Sequence, residues 1–330
     1  MSKKIIFTNG LIDLAQPRLG SKVIFKTDDF FASANRIINP APPIFKEGLF
    51  DKNGKWMDGW ESRRKRTSGN DFLIIKLGKP GSINKVDVDT SFFNGNQPSM
   101  ISLEGCNSSS NNIKNLKWKK IISKKKTKAN SHHLFKTTSK SIFTHIKLNI
   151  FPDGGVARLR LYGNISKENN KFVNKTINLA SLLNGASVIA CNNEHFGKAE
   201  NILAPGKAKN MGDGWETRRR RDKGFDWLIL SSIKGKKIDK IEISTHYFKG
   251  NFPSHCSIQA AYISNKKSST SIVKSSTNWK FLLNKVNLSA NRTHIFNNKL
   301  MKDNKINFIK INIFPDGGIS RFKIFGQSIK

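Results

Sequence analysis

Apolar and polar residues alternate along this chain with a period of two, in short runs. Val86 and Val88 are interleaved with Asp87 and Asp89, and Ile241 and Ile243 with Glu242 and Ser244. Ile146, Leu148 and Ile150 alternate with Lys147 and Asn149, and Ile309, Ile311 and Ile313 repeat the pattern. So do the runs from Val156 to Tyr162 and from Ile319 to Phe325. Period two with polar outward positions predicts strands in sheets with one wet face. Gly, Asn and Pro turns separate the runs, which predicts a β-sandwich in each half of the chain. No long amphipathic helix is visible, and Thr176 to Leu183 is the one short stretch that reads as helical.

The halves are copies of each other. Asp58-Gly-Trp60-Glu61-Ser62-Arg63-Arg64-Lys65-Arg66 returns as Asp213-Gly-Trp215-Glu216-Thr217-Arg218-Arg219-Arg220-Arg221. Thr90, Asn96 and Pro98 return as Thr245, Asn251 and Pro253, and Phe151-Pro-Asp-Gly-Gly155 returns as Phe314-Pro-Asp-Gly-Gly318. A spacing of roughly 160 residues is a duplicated domain and is far too long for a solenoid unit. The spacing drifts between motifs, which marks loops of unequal length. The predicted domains are 1–165, including a lead-in before Gly20, and 166–330, with a polar linker over 164–176.

Composition changes this picture little. Hydrophobic residues make up 37% of the chain, enough for two cores. The formal charge of +35 invites a nucleic-acid reading. The lysines are dispersed, however, and only Lys124-Lys125-Lys126 forms a compact run, so a solvated basic surface is expected and no nucleic-acid partner. Three well-separated cysteines, Cys106, Cys191 and Cys256, form no disulfide framework. With no signal-peptide core and no apolar stretch of membrane-spanning length, a cytoplasmic protein without a membrane partner is expected. Duplicated sandwiches with sheet edges lead us to expect a homo-oligomer.

The duplicated charged segment carries the candidate chemistry. Arginine forks match carboxylates, and Asn side chains donate and accept at once, as an amide or ureido group requires. Carboxylates and His move protons. Glu216, His246 and Glu61 are therefore the candidate catalytic groups. Arg218, Arg219, Arg63 and Arg64 are candidates for holding a carboxylate, and Thr245, Asn251, Thr90 and Asn96 for holding an amide-like group. His246 stands where the first copy has Ser91, so the two sites need not be equivalent. No cofactor is indicated with certainty; a divalent metal held by Asp213, Glu216 and His246 is the one arrangement left open. Phe-Pro-Asp-Gly-Gly reads as a tight turn, and Asp153, Asp316, Arg158 and Arg321 could equally line the sandwich end. Adjacent His132 and His133 point to opposite faces of a strand; His133 recurs as His294, in a shared role that is structural or at the site. Trp60 and Trp215 read as packing anchors. There is no GxSxG, P-loop or GxGxxG.

With these residues assembled, the chain resembles the allantoicase family of ureide-degrading amidinohydrolases. The resemblance rests on the duplicated DGWE(S/T)RR segment, on DTSFFNGN and STHYFKGNFP, and on NIFPDGG(V/I)xR in each half. It covers the chain from about Gly20 to Gly326. It implies an all-β fold of two tandem jelly-roll (galactose-binding-like) β-sandwich domains. It also implies hydrolysis of allantoate to ureidoglycolate and urea. The competing reading is a non-catalytic sandwich module that binds a carbohydrate or small anion, since fold alone does not fix function.

Overall fold

A computed structural model describes residues 5–110, 112–166, 174–265, 267–298, 300 and 305–329. The chain divides into two compact units, Ile12–Glu168 and Asn169–Lys330, the second joined by Met1–Leu11. Both are built from strands; the one α-helix among the described residues is the seven-residue Ser269–Ser275.

Each domain is organised on a single 19-residue strand, Asp71–Asp89 in the first and Asp226–Ser244 in the second. The strand serves both layers of the sandwich. Its first part pairs with Phe143–Phe151 and Lys22–Lys26, its last part with Arg158–Ile165 and His132–Lys136. In the second domain the same parts pair with Ile306–Phe314 and Ser187–Cys191, then with Arg321–Ser328 and Thr293–Phe296. The crossing between layers falls where no side chain fits. A Cβ on Gly81 would lie 2.4 Å from the Asn164 carbonyl oxygen, and one on Gly235 2.3 Å from a Leu179 methyl. Glycine allows that close approach.

The alternation of the sequence is the alternation of burial. Val86, Val88, Leu159 and Leu161 are fully buried, as are Leu73, Ile75, Leu148 and Ile150 of the facing layer. Asp87 and Asp89, between the valines, point to the opposite, outer face. Trp60 and Trp215 are the largest buried side chains, and each indole N–H donates to a backbone carbonyl, of Asp28 at 2.8 Å and Asn193 at 2.7 Å. Truncating either to Ala would cost on the order of 3–5 kcal/mol.

Two sequence expectations are modified. Thr176 to Leu183 forms the strand Thr176–Asn178 and a 3-10 turn at Leu182–Asn184, not a helix. The Asn178 side chain accepts from the backbone of Ala180 and of Ile324, which ties the segment to the sheet instead of to itself. The lead-in does not stay with the first repeat: Ile6–Phe7 pairs antiparallel with Ser187–Cys191 in the second domain. The predicted linker over 164–176 lies largely outside the described residues.

The two sheet edges explain that placement. Ser187–Cys191 is buried at all five positions and would present an apolar edge, and Ile6–Phe7 covers it. The equivalent edge of the first domain, Lys22–Lys26, is flanked by lysines, and charge guards it instead.

Candidate active site

The duplicated motif forms a two-residue strand and the loop after it. Trp60–Glu61 pairs with Gly155–Val156, and Trp215–Glu216 pairs with Gly318–Ile319. The turn sequence Phe-Pro-Asp-Gly carries a cis Phe–Pro bond in each copy. Its aspartate holds the arginine loop: Asp153 accepts from the Lys65 amide at 2.7 Å, and Asp316 from the Arg220 amide at 2.8 Å. The buried rings of Phe93 and Phe248 lie against Gly155 and Gly318, where a Cβ would come within 1.9 and 2.0 Å of ring carbon. The glycines thus let the aromatic loop seat against the glutamate's own strand pair.

On this frame the structure joins two of the predicted residues in each repeat. The Asn96 carboxamide donates to Glu61 Oε1 at 2.8 Å, and the Asn251 carboxamide to Glu216 Oε1 at 2.5 Å. The backbone carbonyls of both asparagines close the same frame by accepting from the amides of Gly155 and Gly318. Burial pushes the Glu61 carboxyl above its ordinary range, against the opposing pull of the Asn96 bond. A raised carboxyl holds its proton more readily than a solvated one, which suits it to general acid–base work.

The arginine run sorts by position. The third cation turns inward: Lys65 Nζ sits 3.0 Å from Asp71, and Arg220 bonds to the buried Asp226. The first is tethered, Arg63 to Asp28 with its guanidinium over Phe30, and Arg218 to the His195 ring. Arg64 and Arg219 are exposed and make no side-chain hydrogen bond or ion pair among the described residues. Behind the loop, Arg158 is buried with its guanidinium 2.7 Å from Asp58, and Arg321 lies 2.6 Å from Asp213.

Other predicted residues serve the scaffold. Thr90 and Thr245 are fully buried. The Thr90 hydroxyl lies 2.7 Å from the Lys128 carbonyl oxygen and accepts from the Ser131 amide; Thr245 repeats this with Ser289 and Arg292. Their hydrogen bonds hold a neighbouring loop, which corrects the expectation that they face a ligand. His133 and His294 are structural too. Each Nε2 accepts from a backbone amide, Lys128 or Ser289, at 2.8 Å, while Nδ1 donates to the carbonyl of Val88 or Ile243. Those partners admit only the neutral Nδ1–H tautomer. All three cysteines are buried, and burial pushes the thiols of Cys191 and Cys256 up to about 12, far from a reactive thiolate.

Asp213, Glu216 and His246 do not converge as a metal site; among the described residues no three such side chains do. Asp213 is taken by Arg321 and Glu216 by Asn251. His246 instead lines a cavity of about 220 Å³ on the outer face of the second domain, with Glu242, Ser244, Thr293, Arg321 and Lys323. Glu216 is not part of that wall. Sequence reading missed Glu242 and Lys323, whose only signal was their polar place in an alternating strand.

A duplicated sandwich that presents a glutamate–asparagine pair, with an exposed arginine in the loop that follows each glutamate, is an arrangement suited to a small anionic amide-rich molecule. The comparisons with known proteins agree. The family model for the allantoicase repeat matches residues 12–166 and 177–329. A probable allantoicase of Acinetobacter baumannii (strain SDF) is 46% identical over 322 residues, 98% of this chain and 95% of the relative. One of Photobacterium profundum is 45% identical over 96% of each chain. The crystal structure of allantoicase from Saccharomyces cerevisiae superposes with a TM-score of 0.81 at 32% identity, covering 97% of this chain and 94% of that one. The chain belongs to the allantoicase family.

Proposed function

We propose that this chain hydrolyses allantoate to ureidoglycolate and urea, a step in purine-derived nitrogen salvage, and that the Glu–Asn pairs form the reacting sites. The observation that carries the assignment is the hydrogen bond from Asn96 to Glu61 and its duplicate from Asn251 to Glu216. Allantoate bears one carboxylate and two ureido arms on a single carbon. Arg64 or Arg219, each unpaired in the loop after its glutamate, takes the carboxylate. Asn96 keeps a carbonyl lone pair and a second N–H for a ureido arm, and the second N–H of Asn251 is engaged only by the weak acceptor Met211 Sδ at 3.4 Å. Urea leaves poorly as an anion, so its nitrogen must gain a proton as water adds to the central carbon. The glutamic acid supplies that proton and recovers one from the water, which balances the step. The raised Glu61 carboxyl suits this exchange.

The protein acts in the cytoplasm as a homo-oligomer on a small molecule, without a nucleic-acid partner. No helix among the described residues is long and apolar enough to cross a membrane. The test is urea and glyoxylate release from allantoate, with and without added divalent metal, in wild type and in Glu61→Gln/Glu216→Gln. Wild type releases urea, and the double variant loses about 10²–10⁴-fold in rate. Release by neither preparation moves the chain to a binding role; equal release by both removes the glutamates from the mechanism.

A further inference from the structure

The outer face of the second layer is built from equivalent positions in both domains, and the two domains use it differently. In the first, the face is filled. His132 Nδ1 lies 2.9 Å from Asp87, and Arg160 bonds to Asp13 and to the carbonyls of Pro40 and Ala41 in the overlying loop. In the second, the positions of Asp89, His132 and Arg160 hold the smaller Ser244, Thr293 and Lys323, on strands that pair in the same order. The space those side chains occupy in the first domain is open here: a cavity of about 220 Å³, lined in addition by Gly206, Lys207 and Ala208. His246, in the place of Ser91, adds an imidazole to its wall.

The lining has unused hydrogen-bonding capacity. Neither ring nitrogen of His246, nor the Thr293 hydroxyl, nor Lys207 Nζ has a partner among the described residues. Lys323 Nζ is shared with Glu242 at 3.2 Å, and Lys240 reaches the same carboxylate at 2.8 Å. Arg321 is committed to Asp213 and to backbone carbonyls, so it contributes rigidity to the wall. The remaining charges of the lining are Lys207 and Lys323 against Glu242, a surplus of one cation. Ser244, Thr293 and Glu242 supply acceptors for N–H groups.

We propose that this cavity is a second binding site, present in the second domain alone, for a small monoanionic carboxylate that carries an amide or ureido group. Lys207 and Lys323 take the carboxylate. Glu242 and Thr293 accept from the ureido N–H groups, and His246 closes over the ligand from the rim. The site is separate from the Glu–Asn pairs, and its existence does not depend on their assignment.

N-carbamoylglycine is a suitable probe, because it has the carboxylate and one ureido arm but lacks the central carbon that carries two ureido arms, and so it is not consumed. Full-length protein labelled in its histidine rings is titrated with it by NMR, with the His246 signal assigned by its loss in His246→Gln. The expected result is a saturable shift of the His246 signal. Acetate and urea, each carrying half of the ligand, should shift it at least tenfold more weakly. Ser244→Asp places in the cavity the acid that the first domain already accommodates as Asp89, and should abolish the shift by like-charge repulsion. Thr293→His, which restores the first domain's filling residue, should abolish it by occupation. Glu61→Gln/Glu216→Gln should leave it intact. No saturable shift in wild type overturns the proposal, as does a shift that survives both cavity substitutions. Loss of the shift in the glutamine double variant would show that there is one site and not two.

Discussion

The two domains agree at one place and part company at another. At the loop end of each sandwich the contacts are duplicated atom for atom: Asp58 with Arg158 and Asp213 with Arg321, Glu61 with Asn96 and Glu216 with Asn251. On the outer face of the second layer they diverge. The first domain fills it with His132 and Arg160, and the second leaves a cavity. The duplicated contacts hold a strand pair, a turn and an aromatic loop together, so a change in any one disturbs the rest. The outer face meets that network only through Arg321, which also forms part of the cavity wall. Its side chains can shrink or grow without unsettling the core, and that is where two copies of one fold are free to differ.

The largest effect that tests the duplicated region is on turnover. Equal geometry predicts equal shares, so Glu61→Gln and Glu216→Gln should each leave roughly half of the urea release, as independent sites do, with the loss of about 10²–10⁴ reserved for the double variant. A single variant as impaired as the double would break the equivalence and name the working copy. Next comes the buried ion pair. Arg158→Met and Arg321→Met each remove the guanidinium partner of a largely buried carboxylate, and each should cost about 3–5 kcal/mol in guanidinium unfolding. A cost confined to one domain would show that the other anchors its loop by different means.

The smallest effect is one of pH. Burial holds the His294 ring below the ordinary histidine range, so the fold favours its neutral form. The stability it contributes is complete above about pH 6.5, the unfolded value, and is lost as pH falls through the lower folded value. Exchange of the Ser289 amide, which donates to this ring, should therefore quicken on acidification. In His294→Asn that pH dependence should vanish; its persistence would remove the imidazole as the cause.

The sandwich was legible because alternation fixes which face of a strand is wet. Val86 to Asp89 and Ile309 to Ile313 declared themselves without reference to any other segment. The glutamate–asparagine pairing was half legible. Duplication singled out both residues, but the bond between them spans a turn whose path depends on Phe93 lying against Gly155. Thr245 and His246 show where such reading stops. They are neighbours in sequence at a strand end, yet one hydroxyl is locked onto backbone carbonyls and the other side chain opens onto a cavity. A strand end leaves the alternation behind, and the direction of each side chain then depends on the loop laid across it. Lys65 and Arg220 make the same point. Four cations in a row read alike, and only the buried aspartate at the start of the long strand, Asp71 or Asp226, picks out the one that turns inward.

The strand Ile6–Phe7 ties the order of synthesis to the order of assembly. It leaves the ribosome ahead of the whole first domain, and its partner, Ser187–Cys191, follows only after that domain is complete. Ile12–Glu168 can therefore close on itself while the chain is still growing, whereas the second domain must wait and retrieve a segment made before the first domain. During that interval the apolar edge at Ser187–Cys191 is unprotected, and the nascent protein is most prone to mispairing with another chain just before its own first strand arrives.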